Sequence, residues 1–142
     1  MLVYIIRAKA NKSKKGLRGQ VYCHGGGGIV TEALNENHLL SRISSISDVV
    51  IFNVEYRLAP EAKVPEGSKD CVEAIKYFHE NADTYGVDPE RFSVAGFSGG
   101  ALIAFGAALL LARENSKILK LLFLIAPMTG HLFYTTPQNT VA

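Results

Sequence analysis

Arg91-Phe92-Ser93-Val94-Ala95-Gly96-Phe97-Ser98-Gly99-Gly100-Ala101-Leu102-Ile103-Ala104 is the stretch that decides how this chain folds. Its first half is a short apolar run of strand character. Its second half opens a long apolar segment of helical length, Ala101 to Arg113. Between them lies Gly-x-Ser-x-Gly, a turn so tight that the chain reverses from strand to helix with almost no loop. Such a turn forces its serine into a strained backbone conformation and presses its neighbours against adjacent strands. Glycine at positions 96 and 100 leaves the space for that. The pattern places Ser98 Oγ above the carboxyl ends of the strands, where α/β sheets bind ligands. The N–H groups and positive dipole end of the following helix point at the same spot.

Working outward, strand and helix patterns alternate. Leu2 to Ala8 reads as a strand closed by a basic turn, and Val21 to Cys23 as a short strand that stops at glycines. Thr31 to Ile46 reads as an irregular helix with Thr31 as its cap. Val49-Val50-Ile51-Phe52 is a continuous β-branched run, expected of a parallel strand buried on both faces. Tyr56 to Pro65 reads as a long loop. From Ser68 to Ala82 a helix is expected, with Cys71, Ala74, Ile75, Phe78 and Ala82 on its apolar stripe. Gly86 to Pro89 reads as a turn, Ala101 to Arg113 as a helix buried all round, and Lys120 to Ala126 as a core strand. The alternation predicts a single α/β domain over 1–142, with a mostly parallel, doubly wound sheet and helices on both faces.

A second glycine cluster, His24-Gly25-Gly26-Gly27-Gly28, follows directly on a strand. Acyl transfer produces a negatively charged oxygen that pre-placed donors must meet, and backbone N–H groups of a bare glycine loop reach it unobstructed. The N–H of Gly99, just after the serine, adds another donor. A phosphate loop is excluded because no Gly-Lys-Ser/Thr follows and no register completes Gly-x-Gly-x-x-Gly. His24 sits at the strand end, and a hydrogen-bonded structural role suits it better than that of a base.

Composition narrows the field. Of 142 residues, 48% are hydrophobic and 20% charged, the balance of a soluble globular domain. A net charge of +2 gives no pull toward nucleic acid. The basic cluster Lys9, Lys12, Lys14, Lys15 and Arg18 reads as a solvated turn. The two cysteines, Cys23 and Cys71, lack metal-ligand spacing and are expected as free thiols of a reducing, cytoplasmic compartment. No apolar run reaches membrane-spanning length. No metal or cofactor site is visible.

Three motifs in order carry a resemblance: His24-Gly25-Gly26-Gly27, Tyr56-Arg57-Leu58-Ala59-Pro60-Glu61, and Gly96-Phe97-Ser98-Gly99-Gly100. Together with Asp70-Cys71 and Tyr85-Gly86-Val87-Asp88-Pro89-Glu90-Arg91, they resemble the hormone-sensitive-lipase-like branch of the α/β-hydrolases. The likeness runs over roughly residues 1 to 128. It implies a carboxylesterase or lipase acting on small hydrophobic acyl esters, without metal or cofactor. It further implies Ser98 as nucleophile, the N–H groups of Gly25, Gly26, Gly27 and Gly99 as oxyanion donors, and a structural Tyr56-to-Glu61 loop. His24, Gly96, Gly100 and Phe97 would shape the site, with Phe97 lining the pocket.

Phe97 stands where that family usually has Asp, and Gly99 where it usually has Ala. The family's acid and base follow the serine on loops after later strands, and no counterpart of that motif occurs here. Glu114 falls at the far end of the helix, His38 and His79 fall within helices, and His131 lies in a segment the family uses for its cap. The chain therefore reads as a partial hydrolase fold with impaired activity. The alternatives are a non-catalytic small-molecule-binding module of the same fold and an interaction protein pairing through an exposed last strand.

Overall fold

The computed structural model describes residues 1–11, 13–63 and 65–128. Five strands form one sheet in the order β1-β3-β2-β4-β5, with β1 Leu2–Ile6, β2 Leu17–Cys23, β3 Val49–Glu55, β4 Val87–Phe97 and β5 Leu121–Ile125. β3 and β4 flank β2 in parallel, β5 runs parallel to β4, and only β1 runs antiparallel, against β3. Register pairs Tyr22 with Asn53 on one side and Ala95 on the other. The carboxyl ends of β2, β3 and β4 therefore finish level at one edge of the sheet.

Alternation along each strand divides the core into two layers. Val50, Phe52 and Val54 face α2 (Glu66–Glu80) and α3 (Gly99–Arg113), where they join Val21, Cys23, Cys71, Ile75, Phe78 and Ala104. Val49, Ile51, Tyr22 and Ala95 face α1 (Asn37–Ile46) and meet Leu40. This double burial is why β3 shows an unbroken apolar run rather than alternation. Phe52 and Phe78 stack with ring centroids 3.9 Å apart, tying the central sheet to α2.

The expected parallel α/β sheet with helices on both faces is present, and several local expectations need correction, among them that Val87 to Pro89, read as part of a turn, belong to β4. Thr31 does not cap a helix. It takes φ +74°, a 3-10 turn over Ala33–Glu36 follows, and α1 starts only at Asn37, with no side-chain cap. α3 is not buried all round, since Phe105 and Leu109 are exposed on its outer face. Among the described residues β5, read as a core strand, lies at the edge of the sheet. Leu122 and Leu124 pack inward, while Leu121, Phe123 and Ile125 stand exposed on the α1 side of the sheet. α1 covers the β1–β3–β2 part of that side and stops short of β5.

Candidate active site

Ser98 lies between the last residue of β4 and the first of α3, with φ +53° and ψ −117°. That is a sparsely populated conformation for a residue with a side chain, held because the surroundings dictate it. A Cβ on Gly96 would overlap the Gly100 carbonyl, and one on Gly100 would overlap the carbonyl oxygens of Cys23 and His24. The turn thus presses directly on the end of β2. Ser98 N–H donates to the Ile125 carbonyl (2.9 Å), which fixes the turn against β5 as well.

The glycine loop leaves β2 beside this turn. A Cβ on Gly99 would come within 2.5 Å of Gly27 N and Cα, so the structure brings the loop and the start of α3 into direct apposition. Among the described residues neither Gly26 nor Gly27 gives its N–H to any acceptor. Gly25 does. Its N–H donates to Glu36 Oε1 (2.7 Å), which removes Gly25 from the expected donors and leaves Gly26, Gly27 and Gly99.

His24 is fully buried and stacks on the Tyr56 ring at 4.4 Å. Its Nδ1 lies 2.9 Å from the Gly25 carbonyl oxygen, and its Nε2 is 3.6 Å from Glu55 Oε1. This is a structural placement beneath the loop. The Tyr56 hydroxyl donates to the His24 carbonyl (2.7 Å), and burial, first of all, raises its pKa, so the phenol remains a donor. Arg57 forks onto Asp70 and braces the segment that follows β3. Tyr56 and Arg57 thus hold this segment to the end of β2 and to α2, and Arg57 and Ala59 also line the cavity beside the turn.

A cavity of about 220 Å³ adjoins the turn, lined by Gly27, Gly28, Gly99, Leu102, Ile103 and Met128 among others. Phe97 was expected on its wall. The ring instead covers Gly25, where an added Cβ would come 2.8 Å from Phe97 Cδ1. The wall is mostly apolar and the volume small, which suits a short hydrocarbon group.

No side chain among the described residues hydrogen-bonds Ser98 Oγ. His79 packs edge-on to Phe92, His38 is exposed on α1, and Glu114 pairs with Lys76 (2.6 Å) at the far end of α3. His131 lies outside the described residues. No cluster suited to a metal ion occurs among the described residues, and no helix among them is long and apolar enough to cross a membrane. Sequence reasoning missed Glu36 and misassigned Thr31. Both act on the loop through contacts that no local pattern announces.

A strand-turn-helix with a strained serine, set against a glycine loop on a parallel sheet, is the architecture of one class of α/β enzyme. A family model described as the alpha/beta hydrolase fold matches residues 20–141. Human arylacetamide deacetylase-like 3 is 37% identical over 121 residues, which are 84% of this chain and 30% of that protein. Rabbit (Oryctolagus cuniculus) arylacetamide deacetylase is 41% identical over 114 residues, 78% of this chain and 29% of that protein. Among solved structures, a thermostable carboxylesterase cloned from a metagenomic library superimposes with TM-score 0.80 at 35% identity, covering 91% of this chain and 48% of that one. A bacterial heroin esterase superimposes with TM-score 0.81 at 29% identity, covering 88% and 39%. The chain belongs to the α/β-hydrolase family, in its hormone-sensitive-lipase-like carboxylesterase branch. It spans about 30% of the length of the curated relatives it matches.

Proposed function

We propose that this chain carries the nucleophile and oxyanion half of a serine carboxylesterase site for small hydrophobic acyl esters. The observation that carries the reading is the strained Ser98 placed against a loop whose Gly26 and Gly27 N–H groups have no acceptor among the described residues. Ser98 Oγ would attack the acyl carbonyl, its proton passing to a solvent water as the O–C bond forms. The carbonyl oxygen, now negative, would be met by the N–H groups of Gly26, Gly27 and Gly99. As its C–O bond breaks, the alkoxy oxygen would take a proton from that water and leave as the alcohol; a second water would then add to the acyl carbon, releasing the acid and restoring the Ser98 hydroxyl. The 220 Å³ cavity matches a short acyl or alkyl group.

Among the described residues no base is bound to Ser98 Oγ, and a serine hydroxyl without one is a neutral, weak nucleophile. Oxyanion contacts and binding alone leave about a thousandfold acceleration over water. Slow turnover is therefore expected. Cys23 and Cys71 as free thiols favour a reducing, cytoplasmic setting.

Incubation with a short p-nitrophenyl ester, wild type beside Ser98→Ala, tests the reading. Hydrolysis lost in the variant supports it, and equal rates overturn it. That no side chain among the described residues hydrogen-bonds Ser98 Oγ favours a second reading, a non-catalytic pocket of the same fold. Equal rates combined with a rise in Tm on adding small hydrophobic esters would select that one.

A further inference from the structure

The peptides of the glycine loop are not equally held. Peptide 24–25 is fixed at both ends: Tyr56 donates to the His24 carbonyl (2.7 Å) and Glu36 accepts the Gly25 N–H (2.7 Å). Peptide 25–26 is fixed at one end only. The Thr31 hydroxyl donates to the Gly25 carbonyl oxygen at 2.7 Å, with His24 Nδ1 2.9 Å from the same oxygen and 3.2 Å from the Thr31 hydroxyl, and the Gly26 N–H at the other end has no acceptor among the described residues.

In a trans peptide the C=O and N–H point in opposite directions. Holding the carbonyl therefore aims the N–H. Thr31 reaches that carbonyl from a backbone position that β-branched residues rarely occupy, φ +74°. The loop turns back through Gly26, whose carbonyl accepts the N–H groups of Ile29 and Val30 (3.1 Å each), and this return brings Thr31 beside Gly25. A non-glycine residue kept in the left-handed region is strained, so the surrounding structure imposes it.

We infer that Thr31 is a positioning residue of the oxyanion loop, its hydroxyl making the shorter contact to the Gly25 carbonyl and orienting peptide 25–26 so that the Gly26 N–H is presented to the acyl oxygen. This rests on the reading of Ser98 and the loop given above. Thr31 touches neither substrate nor Ser98, and it acts through the Gly25 carbonyl. Glu36, fixed in turn by the Tyr22 hydroxyl (2.6 Å), anchors the preceding peptide against which this one pivots.

The test compares Thr31→Val, which keeps the branched shape and loses the hydroxyl, with Thr31→Ser, which keeps the hydroxyl. Two quantities are read on each folded chain: the rate at which a fluorophosphonate labels Ser98, and hydrogen exchange of the Gly26 amide by NMR. Thr31→Val is expected to label about tenfold more slowly than wild type, the rate equivalent of one hydrogen bond. Its Gly26 amide should also shift and exchange differently, while Thr31→Ser stays near wild type in both. Equal labelling by valine and serine variants overturns the inference. Should the wild type not label at all, the esterase reading fails on its own, and the amide alone decides the role of Thr31. An identical Gly26 signal in all three chains would then refute it.

Discussion

Arg57 and Asp70 are joined by a fork. Nη2 lies 2.7 Å from Oδ1 and Nε 3.0 Å from Oδ2, while the backbone N–H of Arg57 donates to the same carboxylate at 2.9 Å. One aspartate on α2 thereby fixes both the side chain and the main chain of the segment leaving β3.

Asp70 is largely buried, and burial alone would raise its pKa. The hydrogen bonds and charge of Arg57 outweigh that and hold it below the ordinary value. The carboxylate thus contributes stability that is full above the unfolded pKa of about 3.9 and is lost as pH falls through the lower folded value. Asp70→Asn should cost about 2 kcal/mol at neutral pH, because it removes charge-assisted bonds from a buried site. Urea melts at pH 7 and pH 3 check this. The gap between the two chains should shrink at pH 3, and a constant gap would exclude the charge as its cause.

Gly100 has no room for a methyl group, since the carbonyls of Cys23 and His24 occupy the space. Gly100→Ala should therefore destabilise by about 3 kcal/mol, the upper range for overpacking, because backbone rather than a movable side chain must yield. Thermal melts would show it, and an unchanged Tm would mean the turn and β2 are less tightly joined than described.

Ser98 in its φ +53° conformation points to a stability gain on losing its side chain. Ser98→Gly should gain up to about 1 kcal/mol, offset in part by the entropy of glycine, while abolishing covalent labelling. A variant less stable than Ser98→Ala would contradict the strain.

Cys23 and Cys71 lie with their Sγ atoms 3.0 Å apart, both inaccessible, and burial followed by the contact with Cys71 raises the Cys23 thiol pKa. Neither thiol should react with a disulfide reagent at pH 8 until guanidinium unfolds the chain, since the thiolate is the reactive form. Prompt titration of either thiol in the native protein would argue against this core.

β5 presents Leu121, Phe123 and Ile125 to solvent along an apolar edge strand. Such edges pair with one another. Self-association is expected in size-exclusion chromatography, with Phe123→Lys shifting the chain toward monomer. A wild-type monomer at high concentration would refute it.

The sheet was legible because its physics is local. Val49 to Phe52 is apolar at every position, as burial on both faces requires, and glycines 96 and 100 mark a close approach that any Cβ would block. The loop was legible in composition but not in its bonding. Gly25 looked like a donor because glycine reports only the absence of a side chain, and Glu36, which takes its N–H, lies 11 residues away. Thr31 looked like a cap because threonine before a helix commonly is one, whereas here its hydroxyl turns back onto Gly25. Phe97 adjoins Ser98 in sequence, yet it ends β4 while Ser98 sits in the turn beyond it, and the Phe97 ring packs over Gly25 instead.

The central position of β2 has a consequence during synthesis. Its neighbours arrive late. Gln20 is paired through its side chain with Ser93, 73 residues further on, and β3 too follows only after the glycine loop and α1. A nascent chain therefore carries Val21, Tyr22 and Cys23 without their first partner until β3 ends at Glu55, and without their second until β4 ends at Phe97. Such non-local parallel pairings are slow to form. The strand that delivers the glycine loop is thus the one whose shielding depends on the rest of the sheet being made.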